Sequence, residues 1–494
     1  MLHTGVLSGT GAFVKILPTI LSGISLSLGL LQAATPGLEH LNTLREQAGL
    51  RPLTVNTVLQ HAAEDHSHYL TLNRASGHRE RADKEGYTGT KPSERALAAG
   101  YDSIAVAENV SWGQKDIDSS IDKLFAGIYH RFAFLSLEKD TIGIGVEAKH
   151  YTFDLGNSFL NRLCQEHTYT SGMYYYNACR DGDKKIEVAA YNEARDHYKH
   201  TTSAPDIVTW PARGSEGVLP GFYAENPDPL PDFGVSGYPV SIEFNDAVYP
   251  EVPEDIHVSL ADHDGNELDG FLMDKAGDPH GHLTDHQFAF FPQEHLEWGE
   301  RYRVTLDVDG QSRDWCFATR SLASFGAQKV YRIDQSDDQE LEIVSGRTYA
   351  FYYVPQGPED KFNRFHYKYN TEKPAVSFID RNTLLVTVTG EIGQRVKLSV
   401  NNGSAQTFTL IIAEDDQAEA PMAESCPVET VETLSADSAP QTRSVESDTD
   451  TDESYSNTQS AGVTADAAGG FPSVLFWLAG LLMMVRLQRS EARR

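Results

Sequence analysis

Apolar residues recur at helical spacing in two stretches near the start of the chain's folded region. Leu38, Leu41 and Leu44 form one stripe, and Leu59, Ala62, Ala63, His66 and Tyr69 form another. The first stripe predicts a helix opened by Pro36-Gly37 and ending near Gly49; the second predicts a helix from about Val55 to Asn73. Two such faces imply a shared core, and His66, lying on the second, reads as a hydrogen-bonded core histidine. Pro92 suits the first turn of a short helix that stops at Gly100. Ile117, Ile121, Leu124, Phe125 and Ile128 then make the buried face of a helix that Asp116 or Asp118 can cap, with His130 at its far end. The alternation Ile142, Ile144, Val146 predicts a strand, and Ile186 to Tyr191 predicts another.

The period changes after Pro205. Pro220, Pro227, Pro229 and Pro231 mark an extended linker, and short alternating strands follow from about Gly237. Val240–Phe244, Ile256–Leu260, Leu268–Met273, Gln287–Phe291, Arg301–Val308 and Asp314–Thr319 have the number and spacing of an immunoglobulin-like sandwich. A second all-β unit runs over 327–413, its aromatic run Tyr349 to Tyr353 reading as core. Beyond Glu414 large apolar residues become scarce, which predicts a disordered acidic stalk. Gly469-Gly470 then precedes the apolar segment Phe471 to Val485 and a closing cluster of arginines.

The expected organisation is therefore multidomain: a signal peptide (1–34), an α+β domain (35–200), a Pro-rich linker (201–236), two β-sandwiches (237–322 and 327–413), a stalk (414–468) and a C-terminal hydrophobic helix (469–494). The apolar run Ile16 to Leu31 after Lys15, followed by Ala33-Ala34, reads as an export signal. Export gives the four cysteines meaning, and Cys164 and Cys179 form the expected bridge. Cys316, in the apolar strand around Trp315, reads as a buried free thiol, whereas Cys426 lies in the polar tail without an assignment. A formal net charge of -30 disfavours nucleic acid and anionic surfaces as partners.

Candidate chemistry is concentrated between Gly77 and Arg131. This block holds Gly77-His78-Arg79-Glu80, Ala107-Glu108-Asn109 and Tyr129-His130-Arg131. Neutral imidazoles bind zinc-like cations, and nearby carboxylates orient them or take a proton from bound water. Elsewhere Asp262 to Glu267 reads as a hairpin turn rather than a calcium loop, and His280, His282 and His286 lack a matching partner motif.

Leu41-Asn42 with Arg45, Ala62-Ala63-Glu64-Asp65-His66-Ser67, Gly77-His78, Ala107-Glu108-Asn109, Tyr129-His130-Arg131 and Ile142-Gly143-Ile144-Gly145 occur in that order. Over residues 36–150 this resembles the CAP superfamily of cysteine-rich secretory, antigen 5 and pathogenesis-related proteins, also called SCP-like, in a bacterial multidomain form. The resemblance implies an α-β-α sandwich whose cleft holds two histidines and two acidic residues, matched here by His78, His130 and Glu108. Many relatives carry a Glu just before the second histidine, where this chain has Gly127; Glu80 is the residue that can take its place. The C-terminal Gly-Gly, apolar segment and arginines resemble a sorting signal removed by a rhomboid-type protease, with membrane association through that segment before processing.

The resemblance implies an exported or cell-surface protein whose cleft binds a divalent cation, zinc by ligand type, through His78 and His130, with Glu80, Glu108 and Asn109 lining it. The expected partner is a lipid, cell-envelope or protein ligand. A metal-assisted hydrolase using Glu80 or Glu108 is the enzymatic alternative, and adhesion through the β-sandwiches is a third.

Overall fold

The computed structural model describes residues 35–333, 339–355, 364–401, 405–414 and 426. The export signal, the sorting segment and, apart from Glu414 and Cys426, the acidic stalk lie outside these residues. Among the described residues no helix is long and apolar enough to cross a membrane.

The first domain is a CAP-like α/β fold. Its helices are α1 (Leu38–Gln47), α2 (Thr57–Asn73), α3 (Pro92–Ala99), α4 (Ile117–Ala126), α5 (Ile128–Phe134), α6 (Ser158–Glu166) and α7 (Val188–Arg195). Its central strands are β1 (Thr54–Val55), β2 (Ala107–Trp112), β3 (Thr141–Glu147) and β4 (His150–Gly156), in the order β1-β3-β4-β2, which leaves β2 at an edge. The Asn56 side chain starts α2 by accepting from the backbone N–H of Val58 and Leu59 at 3.0 and 3.1 Å. The helix then lies directly on β3, and this closeness explains Gly143 and Gly145: a Cβ at either would collide with the backbone of Leu59 or Ala63.

Two local expectations are corrected. Ile186 to Tyr191 is not one strand; only Ile186–Glu187 is extended, and Val188 opens α7, whose Tyr191 packs beside the Cys164–Cys179 bridge. The helix expected to end at His130 breaks at Gly127, whose extended backbone (φ -82°, ψ 133°) separates α4 from α5 and puts His130 in the first turn of α5.

The boundary with the first β-sandwich also differs. Ile207–Trp210, expected in a linker, pairs antiparallel with Val240–Phe244, in a sheet completed by Gln287–Pro292 and Gly270–Met273. The facing sheet contains Ile256–Ala261, Arg301–Val308 and Gln311–Ala318. One continuous apolar cluster joins the helical domain to this sandwich, running from Leu41, Phe125 and Phe134 through Trp210 to Val304 and Phe317. A second cluster packs Ile128, Tyr129 and Phe132 against Phe222, Leu230 and Phe291. All seven residues of α5 are buried as a result. The helix carrying His130 is therefore core to two domains at once.

The second sandwich has two four-stranded sheets around Tyr349, Phe351, Tyr353, Leu384, Leu398 and Leu410. Parallel pairing of Ala327–Ile333 with Thr348–Tyr353, and of Gln339–Val344 with Ala405–Ala413, distinguishes it from the first sandwich, whose seven strands given above pair antiparallel. Cys164 and Cys179 are bridged, with Cα atoms 5.4 Å apart. Cys316 is not the free thiol its apolar surroundings suggested; it is bonded to Cys426, 110 residues away.

Candidate functional site

Successive side chains of a strand point to opposite faces, and edge strand β2 uses this to address two helical layers. Glu108 faces α2 and α3. It accepts a hydrogen bond from Arg95 of α3 and pairs with Nδ1 of His78 at 2.8 Å. Arg95 also donates to the His78 carbonyl at 2.8 Å, so one buried guanidinium fixes both the carboxylate and the backbone of its histidine partner. Asn109, pointing the other way, donates from Nδ2 to the His130 carbonyl at 2.9 Å and anchors α5.

Behind this pair lies a further buried set. His66 Nδ1 is 2.8 Å from Glu80 Oε1 and its Nε2 is 3.0 Å from the Gly77 carbonyl, so the ring is hydrogen-bonded on both sides, as expected for a core histidine. The second oxygen of Glu80 accepts from the Thr88 N–H at 2.7 Å. Glu80 thus braces the loop after His78 and faces His66.

Burial by itself disfavours ionisation of Glu108, but Arg95, His66 and His78 outweigh it and hold this carboxyl well below the usual carboxylate range. The same contest, won by His66, Thr88 and Arg95, lowers Glu80. Asp154, opposite Glu108 in the β2–β4 register, behaves inversely. It is fully buried, and as a carboxylate it would find no donor among the described residues. Burial first, and then the charge of Glu108, push its pKa well up, so the group is held as a neutral acid that donates to Glu108.

His130 has a different partner. Its Nδ1 lies 2.6 Å from Oε2 of Glu225, a carboxylate that also accepts from the Tyr129 N–H at 3.2 Å. Both side chains are almost inaccessible, at 2% and 5% exposure. Among the described residues, Nε2 of His130 has no hydrogen-bond partner. The structure thus presents two histidine–carboxylate pairs, His78–Glu108 and His130–Glu225, anchored through adjacent residues of β2. Sequence reasoning missed Glu225. It lies 95 residues beyond His130 in a Pro-rich stretch, and the only local clue was the small residue at Gly127.

Among the described residues no group of three or more His, Cys, Asp or Glu side chains is arranged to hold a metal ion, so a closed structural zinc site is absent there. Carboxylates held on Nδ1 are nonetheless the usual outer partners of ligating histidines, and they aim Nε2 as the binding atom. Each of the two imidazoles thus carries the outer carboxylate partner that a ligating histidine uses.

A three-layer α/β domain with histidine–carboxylate pairs at its edge strand defines the class. Residues 38–155 match the model of the cysteine-rich secretory protein family, CAP. No curated protein matches the chain. Among solved structures, the chain is similar to an extracellular SCP-domain protein from Bacillus anthracis str. Ames, at 20% identity over 24% of this chain and 38% of that one, with a TM-score of 0.22. It is also similar to an outer surface protein of Borrelia burgdorferi, at 18% identity over 24% of this chain and 87% of that one, TM-score 0.22. A cysteine-rich secretory protein from Staphylococcus aureus matches at 20% identity over 24% and 36% of the two chains, TM-score 0.19. The chain thus spans little more than a third of the Bacillus and Staphylococcus proteins.

Proposed function

We propose that this is an exported CAP-domain protein in which His78 and His130 hold one divalent cation, zinc by ligand type, whose open positions receive a lipid, cell-envelope or protein ligand. The observation that carries the reading is the shared arrangement of the two histidines, each held at Nδ1 by a buried carboxylate at 2.8 and 2.6 Å. When bound, the cation supplies a Lewis-acidic centre for an anionic or carbonyl group of that ligand. Glu108 and Glu225 orient the rings, and Arg95 keeps Glu108 charged and fixed. Export is supported by two disulfides, which persist in oxidising compartments.

The hydrolase alternative is weaker on this geometry. A general base needs a free oxygen within reach of the proton it abstracts. The Glu108 oxygens are taken by His78 and Arg95, and those of Glu80 by His66 and Thr88. Calorimetric titration of the metal-free chain with zinc chloride tests the proposal. One zinc per chain is expected, with the heat lost in H78A/H130A. Absence of binding by a folded wild-type chain, or binding unchanged in that variant, would refute it.

A further inference from the structure

We propose that Glu225 is the positioning residue for His130, delivered from outside the CAP domain into space that a side chain at position 127 would otherwise fill. The inference deepens the cation-site reading and rests on it. A Cβ built on Gly127 would stand 2.8 Å from Cδ and 3.2 Å from Cβ of Glu225, and nearer still to Oε2. Such contacts are too close for packed atoms, so any larger residue at 127 must displace the carboxylate. Glycine at 127 and glutamate at 225 are two halves of one arrangement.

Glu225 has reasons to stay. Its side chain is only 5% exposed, and burying a carboxylate is costly unless donors meet it. His130 Nδ1 at 2.6 Å and the Tyr129 N–H at 3.2 Å are those donors, with the His130 N–H more distant at 3.5 Å. Accepting from Nδ1 fixes the proton there and leaves the lone pair on Nε2, the buried nitrogen without a hydrogen-bond partner among the described residues. The site is therefore not self-contained in residues 38–155. Its second histidine is oriented by the segment that leads into the first β-sandwich, against which α5 is packed.

The full chain, metal-free and labelled with 15N in histidine, reports the His130 tautomer once H130A identifies the signal. Calorimetry with zinc chloride alone reports binding. In E225A the single Nδ1–H form should become a mixture and zinc affinity should fall about 10- to 100-fold. E225Q, nearly the same shape, should stay folded and show a smaller fall. G127E/E225A returns a carboxylate from the opposite side and should recover part of the affinity and of the tautomer preference. An unchanged tautomer and unchanged affinity in E225A overturn the proposal, as does a folded G127E/E225A that is no better than E225A. If the wild-type chain binds no zinc, the cation reading fails by itself, and the tautomer then decides whether Glu225 positions the ring.

Discussion

Arg131 of the helix that carries His130 donates from Nη1 to the Pro239 carbonyl at 2.6 Å, across the junction between the α/β domain and the first β-sandwich. Its Nε donates to the Phe125 carbonyl at 2.6 Å, and its guanidinium lies 4.7 Å from the centre of the Tyr238 ring. One fully buried cation therefore joins the end of α4, helix α5 and the start of a sandwich strand.

Arg131→Ala should lower stability by about 3 kcal/mol or more, because it strands buried carbonyls and removes packed volume together. Arg131→Lys should recover little, since an ammonium cannot serve both carbonyls and the ring from one position. Urea unfolding of the two variants checks this, and a loss below about 1 kcal/mol in Arg131→Ala would show that the junction does not depend on this side chain.

Asp154 predicts an inverted pH dependence. Its folded pKa is raised, so the folded state holds a proton that the unfolded state releases above 3.8, and the stability cost grows as pH rises from there toward the folded pKa. Asp154→Asn keeps the shape of the neutral acid and can still donate to Glu108. It should gain on the order of 1 kcal/mol near pH 7 and show little difference from wild type near pH 3, in denaturant titrations at both pH values. A variant destabilised at pH 7 but not near pH 3 would show that Asp154 is ionised and paired.

The Cys164–Cys179 bridge closes a separation of 15 residues between α6 and the loop against which it packs. Cys164→Ala/Cys179→Ala should cost about 3 kcal/mol in the chain-entropy picture. Thermal unfolding of the oxidised protein and the double variant measures the difference, and coincident curves would count against a structural role.

Much of this domain could be read from pattern. The stripe of Leu59, Ala62, Ala63, His66 and Tyr69 fixed α2, and the alternation of Ile142, Ile144 and Val146 marked the strand against which that helix rests. His78 and Glu108 were recognisable because their motifs are local. The illegible features depend on residues remote in sequence. Glu225 reaches His130 only after the chain has completed the α/β domain. Gly127 breaks its helix beside a carboxylate that local periodicity does not contain. Ile207–Trp210 sits among prolines and glycines, yet it becomes a strand because Val240–Phe244 offers it an edge. Cys426 has no hydrophobic context of its own, and only the tertiary fold brings it to Cys316.

The most direct test of the cation site is a crystal of the full chain soaked in zinc chloride, with anomalous scattering measured on both sides of the zinc edge. The account predicts one principal peak bound by His78 and His130 through Nε2, with Glu108 and Glu225 still on the Nδ1 atoms. A principal peak elsewhere, or an ion bound by only one of these histidines, would contradict it.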